Sequence, residues 1–255
     1  MSKVPSSFPE MVRITKAFEE GTRVKTFVVE KSIKAEPGQL ILVWLPGIDE
    51  KPFGISNPSP LQFSVAKVGP FSSALHALKE GDWVGVRGPI GRGFRLYKGR
   101  ILIVAGGYGL APLRFLVKRA REEGVEYDLI ACAKTASELM DVGDALIATD
   151  DGSRGKKALA TEYAAELIGK NQYECVYACG PEKMLRVIAE MCASRGIRCQ
   201  VLIERYIKCG IGICDSCAIS GLRVCKDGPV FDGEKLLKTE FGRIKRDASG
   251  KIIPV

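Results

Sequence analysis

Apolar and polar positions change rhythm twice along the chain. Between residues 8 and 98, apolar residues gather in short runs at 24–30, 40–45 and 61–68. Pro37-Gly38, Pro46-Gly47 and Gly69-Pro70 interrupt these runs, as turn residues do between strands. Many short strands at this spacing predict a small barrel or sandwich. Ala74, Leu75, Ala77 and Leu78 cluster near helical spacing and predict a short helix over 72–79.

After Lys98 the pattern becomes an alternation. The continuous apolar run 101–105 predicts a strand buried on both faces. Further strands are predicted at 129–133, 145–148, 175–178 and 199–203. Helical stretches are predicted at 113–123, 158–168 and 182–194. Strand and helix in alternation predict a doubly wound parallel sheet. From Arg205 onward the periodicity fades, and cysteine and glycine dominate. The chain of 255 residues therefore divides into 1–98, 99–204 and 205–255.

Composition narrows the function. Hydrophobic residues make up 46%, enough for packed cores and too many for a disordered chain. No apolar run approaches the ~18–20 residues of a membrane span. The opening Met-Ser-Lys-Val-Pro-Ser-Ser lacks the apolar stretch of a secretory signal, so the expected compartment is the cytoplasm. The single histidine, His76, leaves little room for histidine triads or multi-histidine metal sites, and surface or packing is its expected role. The net charge of +8 falls as +5, −1 and +4 over the three segments. No dense basic tract with interleaved aromatics occurs, so nucleic acid is not expected; an acidic partner or an anionic cofactor suits the two ends better.

The sharpest signal is Cys209-Gly-Ile-Gly-Ile-Cys214-Asp-Ser-Cys217, followed by Cys225. The spacing C-x4-C-x2-C…C is that of plant-type two-iron, two-sulfur (2Fe-2S) sites. Thiolates are soft anionic donors suited to iron. Gly210 and Gly212 let the loop curl so that backbone N–H groups face the sulfides. A zinc site is the competing reading, although zinc ribbons usually use two C-x2-C pairs and only one is present. On that reading the chain is a non-enzymatic interaction protein. Cys132, Cys175, Cys179, Cys192 and Cys199 fall mostly on predicted apolar elements, where packing is the default.

Two glycine turns suggest a nucleotide. Gly106-Gly107-Tyr-Gly109 joins the 101–105 strand to a helix, where backbone can approach a pyrophosphate. Cys179-Gly180-Pro181 ends another predicted strand and opens another helix, with Cys179 placed to touch a nicotinamide or simply be buried. The loop 149–155 either contacts the cofactor or only turns. Arg154, Lys156 and Lys157 would suit a 2′-phosphate or lie in solvent, leaving NAD against NADP open.

Taken together, these residues resemble the electron-transfer subunits of type B dihydroorotate dehydrogenase, within the ferredoxin reductase-like flavoproteins. The likeness is most specific over Glu204-Arg-Tyr-Ile-Lys-Cys209 to Cys217 and over Arg223-Val-Cys225-Lys-Asp-Gly-Pro-Val-Phe231. It implies an N-terminal antiparallel β-barrel for FAD, a central α/β domain for NAD and a small C-terminal iron–sulfur subdomain: an α+β multi-domain chain. It implies Cys209, Cys214, Cys217 and Cys225 as ligands of a 2Fe-2S cluster. Gly106, Gly107 and Gly109 resemble the pyridine-nucleotide loop, and Cys179 and Gly180 the nicotinamide-side loop. The flavin motif Arg-Pro-x-Ser corresponds to Lys51, Pro52, Phe53 and Gly54, followed by Ile55 and Ser56. Lysine keeps the charge but loses the bidentate fork of arginine. A second flavin segment corresponds to Lys67, Val68, Gly69, Ser72 and Ser73, with Ser72 at the family's threonine and Phe71 at its glycine.

The resemblance implies a relay between a nicotinamide and an external acceptor through FAD and the cluster. Flavin stands between a two-electron and a one-electron carrier because it exchanges both ways. The implied partner is an FMN-containing catalytic subunit that oxidises dihydroorotate in pyrimidine biosynthesis, in a hetero-oligomer with two of each subunit. The alternatives of the same architecture are the flavin subunit of an NADH-dependent ferredoxin:NADP oxidoreductase and a hydrogenase diaphorase subunit.

Overall fold

The computed structural model describes residues 8–141 and 143–255. The opening seven residues, read above for the lack of a signal, lie outside the described residues.

Six strands close an antiparallel barrel: β1 (Glu10–Glu20), β2 (Val24–Val29), β3 (Leu40–Leu45), β4 (Asp49–Pro58), β5 (Leu61–Ala66) and β6 (Trp83–Ile90). Their order around the barrel is β1-β2-β5-β4-β3-β6. Strand β5 shows the alternation that drives closure: Leu61, Phe63 and Val65 are fully buried, with Gln62, Ser64 and Ala66 partly exposed between them. Phe27 stacks on Phe63 at 5.5 Å inside the barrel. Helix α1 (Pro70–Ala77) adds Phe71 and Leu75 to this core.

The predicted runs became β2, β3 and β5. Strands β1, β4 and β6 carry no comparable run. β1 is mostly exposed and has an irregularity between Ile14 and Lys16. Strand β4 holds Pro52 and Gly54, and β6 holds Gly85, Gly88 and Pro89; these residues read as turns in a linear pattern.

The second body is a seven-stranded sheet. Its strands are β7 (Ile101–Gly106), β8 (Tyr127–Ala133), β9 (Leu146–Thr149), β10 (Lys156–Lys157), β11 (Cys175–Cys179), β12 (Arg198–Leu202) and a later strand, β15 (Val230–Asp232). The order is β10-β9-β8-β7-β11-β12-β15, parallel except at β15. Helices α2 (Leu110–Glu122), α3 (Ala160–Lys170) and α4 (Glu182–Ser194) connect the parallel strands. Both faces of β11 are buried: Cys175, Tyr177 and Cys179 join one core, Val176 and Ala178 the other. This explains why such strands read as unbroken apolar runs. Chain order reverses between β7 and β11, the crevice where ligands bind in doubly wound sheets.

Beyond Leu202 the chain holds short elements: the hairpin β13 (Ala218–Ile219) and β14 (Leu222–Arg223), and α5 (Val224–Asp227). After β15 come α6 (Gly233–Leu237) and the hairpin β16 (Ile244–Arg246) and β17 (Ile252–Pro254). Strand β15 pairs antiparallel with β12, and α6 packs on α4, so this segment finishes the central sheet as well as carrying the cysteine loop.

The bodies are fastened together. Arg114 of α2 grips Glu20 of β1 with two hydrogen bonds of 2.7 and 2.5 Å. The Tyr177 hydroxyl donates to the Arg95 carbonyl (2.8 Å) and accepts from the Tyr97 N–H (3.0 Å), pinning the connector to the sheet. His76 fulfils the packing expectation: its Nε2 lies 2.8 Å from the Val65 carbonyl.

Candidate functional site

The cysteine loop begins where β12 ends. Positive φ at Gly210 (71°), Gly212 (78°) and Asp215 (53°) curls it. Gly210 is also pressed on the barrel: a Cβ there would stand 2.6 Å from Leu42 Cδ1. Arg87 of β6 fixes the approach. Its guanidinium holds Glu50 bidentately (2.7 and 2.6 Å) and donates to the Cys209 carbonyl (3.0 Å).

Cys209 Sγ accepts the N–H of Ile211 (3.5 Å), Cys217 Sγ accepts the N–H of Cys225 (3.5 Å), and Cys214 Sγ lies 3.4 Å from the Ser216 hydroxyl. Cys217 and Cys225 are buried, whereas Cys214 is exposed. Among the described residues no three ligating side chains close on a single ion. The C-x4-C-x2-C spacing on one curled loop is that of a 2Fe-2S site and lacks the two C-x2-C pairs usual in zinc ribbons. Burial opposes ionisation of Cys209, yet N–H groups of Ile213, Ile211 and Cys214 bring its thiol down to about 6. A hydrogen bond from Cys225 does the same for Cys217, to about 6, and raises Cys225 correspondingly. Preformed N–H donors around the sulfurs suit anionic ligands.

The second site is a cavity of about 710 Å³ between the barrel and the strand ends of the sheet. Val24, Ala66 and Val68 form its barrel rim; Gly106, Gly107 and Gly180 lie at the switch point. The two glycine loops touch: a Cβ on Gly180 would come within 2.9 Å of Gly106 Cα. Gly109 sits beneath, where a Cβ would stand 2.4 Å from the Cys179 carbonyl oxygen. Gly107 has nothing within 4 Å of its missing Cβ, so its backbone is open to a ligand. Cys179 is 1% exposed and does not line the cavity; burial, first of all, keeps its thiol protonated.

The loop after β9 divides between the cavity and its own turn. Asp150 lines the cavity, while Asp151 and Ser153 build the turn. Arg154, Lys156 and Lys157 are exposed and outside the cavity lining, and Lys156 is tied to Glu166.

The flavin-motif residues divide. Val68 reaches the cavity. Lys67 is exposed, and its N–H donates to the Arg23 carbonyl (2.8 Å). Ser72 is buried; its hydroxyl accepts the N–H of Val68 (2.8 Å) and of Gly69 (2.9 Å), so it closes the turn, while Ser73 is exposed. None of Lys51, Pro52, Phe53, Gly54, Ile55 and Ser56 lines the cavity. Lys51 turns towards the cluster segment, 3.2 Å from the Tyr206 hydroxyl. Phe53 lies beside Phe63 and Phe71, at 5.8 and 6.2 Å between rings. Gly54 meets Pro112 at the start of α2, where a Cβ would lie 2.6 Å away. Ser56 Oγ is buried with no hydrogen-bond partner among the described residues. A buried hydroxyl in that state has unused bonding capacity for a bound group, which fits a flavin beside this strand.

Sequence reasoning missed several cavity residues. Glu204 lines the cavity with Tyr108, Lys183 and Lys245. Glu204 has exposed surface, but that surface faces the cavity; burial among its walls raises its carboxyl, and Lys245 pulls the other way. Glu204 opened the stretch of most specific likeness, with no role attached to it. Lys245 lies in a stretch with no pattern at all.

Comparison with known proteins agrees with this architecture. A family model described as the iron-sulfur cluster binding domain of dihydroorotate dehydrogenase B matches residues 204–237. A Methanocaldococcus jannaschii protein named probable dihydroorotate dehydrogenase B (NAD(+)), electron transfer subunit, is 46% identical over 254 residues, covering 96% of this chain and 98% of that one. A Pyrococcus horikoshii protein of the same name is 42% identical over 245 residues, covering 94% and 97%. Among solved structures, that of an NADH-dependent reduced ferredoxin-NADP oxidoreductase superposes with a TM-score of 0.82 at 26% identity, covering 93% of this chain and 94% of that one. Phthalate dioxygenase reductase shares the fold, with a TM-score of 0.60 at 19% identity, covering 73% and 64%. By sequence over nearly its full length, and by the placement of its cysteine loop against a reductase-type barrel and sheet, the chain belongs to the family of dihydroorotate dehydrogenase B electron transfer subunits.

Proposed function

We propose that this chain is an oxidoreductase subunit that passes electrons between a dihydroorotate-oxidising FMN subunit and NAD through a 2Fe-2S cluster and FAD. The observation that carries the reading is the placement of the cysteine loop. At Cys209 and Gly210 it lies against β3 and β6 of the barrel, while the dinucleotide cavity opens between that barrel and the sheet.

Bound FAD supplies the exchange between a two-electron hydride and single electrons. The chain's own residues position the parts. Cys209, Cys214, Cys217 and Cys225 hold the cluster, with the exposed Cys214 flanked by Ile213 at 74% exposure. That edge is the exit towards a partner. Lys51 links the flavin strand to the cluster segment through Tyr206. Ser56 offers a buried hydroxyl that would serve a bound flavin, and Val68, at the turn closed by Ser72, stands on the cavity rim. Gly106, Gly107, Gly109 and Gly180 keep backbone close to the nucleotide. Hydride transfer here needs stacking and orientation, not an imidazole base, which agrees with His76 being engaged in packing.

The three-part division at 98/99 and 204/205 is retained as FAD, NAD and cluster segments, with β15 of the third completing the sheet of the second. Among the described residues no helix is long and apolar enough to cross a membrane. A cytoplasmic location is supported by nine cysteines, all free of disulfides. The basic C-terminal segment, +4 over 51 residues, suits docking to an acidic partner in an assembly with two of each subunit. The test is reconstitution with the FMN subunit. Dihydroorotate-dependent reduction of NAD should require both chains. A pair that holds flavin and cluster yet transfers electrons only from reduced ferredoxin overturns the reading in favour of the ferredoxin-linked relative.

A further inference from the structure

Four cationic side chains (Arg23, Lys134, Lys183 and Lys245) and four carboxylates (Glu138, Asp150, Glu182 and Glu204) line the cavity. Lys134, Lys183 and Lys245 all line it, and among the described residues none of the three makes an ion pair. By contrast, Glu182, a carboxylate on the same wall, is engaged by Arg205. Lys245 is the unusual member, because it comes from the C-terminal hairpin β16–β17 and not from the parallel sheet.

That hairpin is a built element. The Asp247 carboxylate accepts the N–H groups of Ser249 (2.8 Å) and Lys251 (3.0 Å), shaping its turn. Val255 N–H donates to the Arg243 carbonyl (3.1 Å), closing its base. Just before it, Glu240 holds both the N–H and the hydroxyl of Ser220 in the cluster segment. Gly242 N–H donates to Glu182 at the start of α4 (2.6 Å). The hairpin thus leans on both the cluster segment and the nucleotide wall.

We propose that Lys245 is a dinucleotide-binding residue, delivered by the C-terminal hairpin, whose ammonium pairs with the pyrophosphate. The inference rests on reading the cavity as the nicotinamide-nucleotide site. Three arguments select the pyrophosphate. It is the anionic part of NADH, and the nicotinamide ring carries no negative charge for a lysine to meet. The open backbone at Gly107 marks a place where phosphate oxygens can approach. Lys245 lines the same cavity without a carboxylate at ion-pair distance among the described residues, although Glu204 feels its charge. The contact places the nucleotide's charge against an element anchored on the cluster segment.

The experiment is titration of the holoprotein with NADH and, separately, with ADP-ribose, which keeps the pyrophosphate and lacks nicotinamide. Lys245→Gln should raise both dissociation constants roughly tenfold, the usual size of one charge-assisted contact. Lys245→Arg should restore most of the loss. Flavin and cluster absorption should be unchanged, since the side chain is exposed on a short hairpin. Unchanged binding of both ligands by Lys245→Gln overturns the proposal. So does weakened NADH with unaltered ADP-ribose, which places Lys245 at the nicotinamide end. A wild-type protein that binds neither ligand refutes the dinucleotide reading of the cavity itself, and the proposal falls with it.

Discussion

Cys214 and Cys225 are the same residue type in opposite settings. Cys214 is exposed at the loop's outer edge; Cys225 is 2% exposed on α5, directly before the sheet strand β15. Cys214→Ser should therefore lose iron, acid-labile sulfide and the paramagnetic resonance signal of the reduced protein while unfolding like wild type. An unaltered spectrum refutes its assignment as a ligand. Cys225→Ser should lose the cluster and also lower the unfolding midpoint, because a buried hydroxyl replaces a buried thiol. Gly109 is a separate case, governed by space alone. Gly109→Ala drives a methyl to within 2.4 Å of the Cys179 carbonyl oxygen and should cost about 1–3 kcal/mol in urea unfolding. A midpoint equal to wild type would show that the two loops can part. At this scale the cysteines and glycines were legible, because their residue types and spacing carry the chemistry. Ser56 was legible only as a motif position: that its hydroxyl is buried and, among the described residues, unpartnered depends on walls drawn from distant sequence.

Elements differed in how plainly they announced themselves. Strands buried on both faces, such as β7 and β11, stood out because every position is apolar. Strands β1, β4 and β6 did not, because closing a barrel tolerates proline and glycine where neighbouring strands complete the ladder. Pro52 pairs with Leu42, and Gly85 lies across from both Met11 and Trp44. The connector after β6 has no pattern either, yet Tyr177 holds it at two backbone groups. Tyr177→Phe takes the acceptor from the Tyr97 N–H, while the Arg95 carbonyl keeps Gln200 Nε2 (2.7 Å), and should cost about 1–3 kcal/mol. Urea unfolding checks this, and a loss below the precision of the measurement would mean water replaces the hydroxyl.

At the scale of the molecule, the barrel and the sheet are joined through a buried charge. Glu20 is penalised by burial, but Arg114, Thr26 and the Asp141 N–H together hold its carboxyl below the ordinary 4.5. A carboxylate with a depressed folded value stabilises above its unfolded value, and that contribution is lost as pH falls through the folded one. Thermal midpoints of wild type and Glu20→Gln should therefore differ most near neutrality and converge as pH drops below 4.5. A difference that stays constant across that range removes the charge from the account. Docking belongs to this scale too. The C-terminal basic excess predicts that the partner complex weakens as salt rises, measured by co-purification. Association unchanged at high ionic strength leaves the apolar edge at Ile211 and Ile213 as the contact.

The alternation of strand and helix in the central segment, the cysteine spacing and the glycine turns were legible in local chemistry: residue type, spacing and period act over a few residues and survive in any listing of the chain. The closure of the barrel, the entry of β15 into the central sheet and the arrival of Glu204 and Lys245 in one cavity were decided only by tertiary structure. Each joins residues that covalent connection leaves far apart, so no local rhythm encodes the meeting.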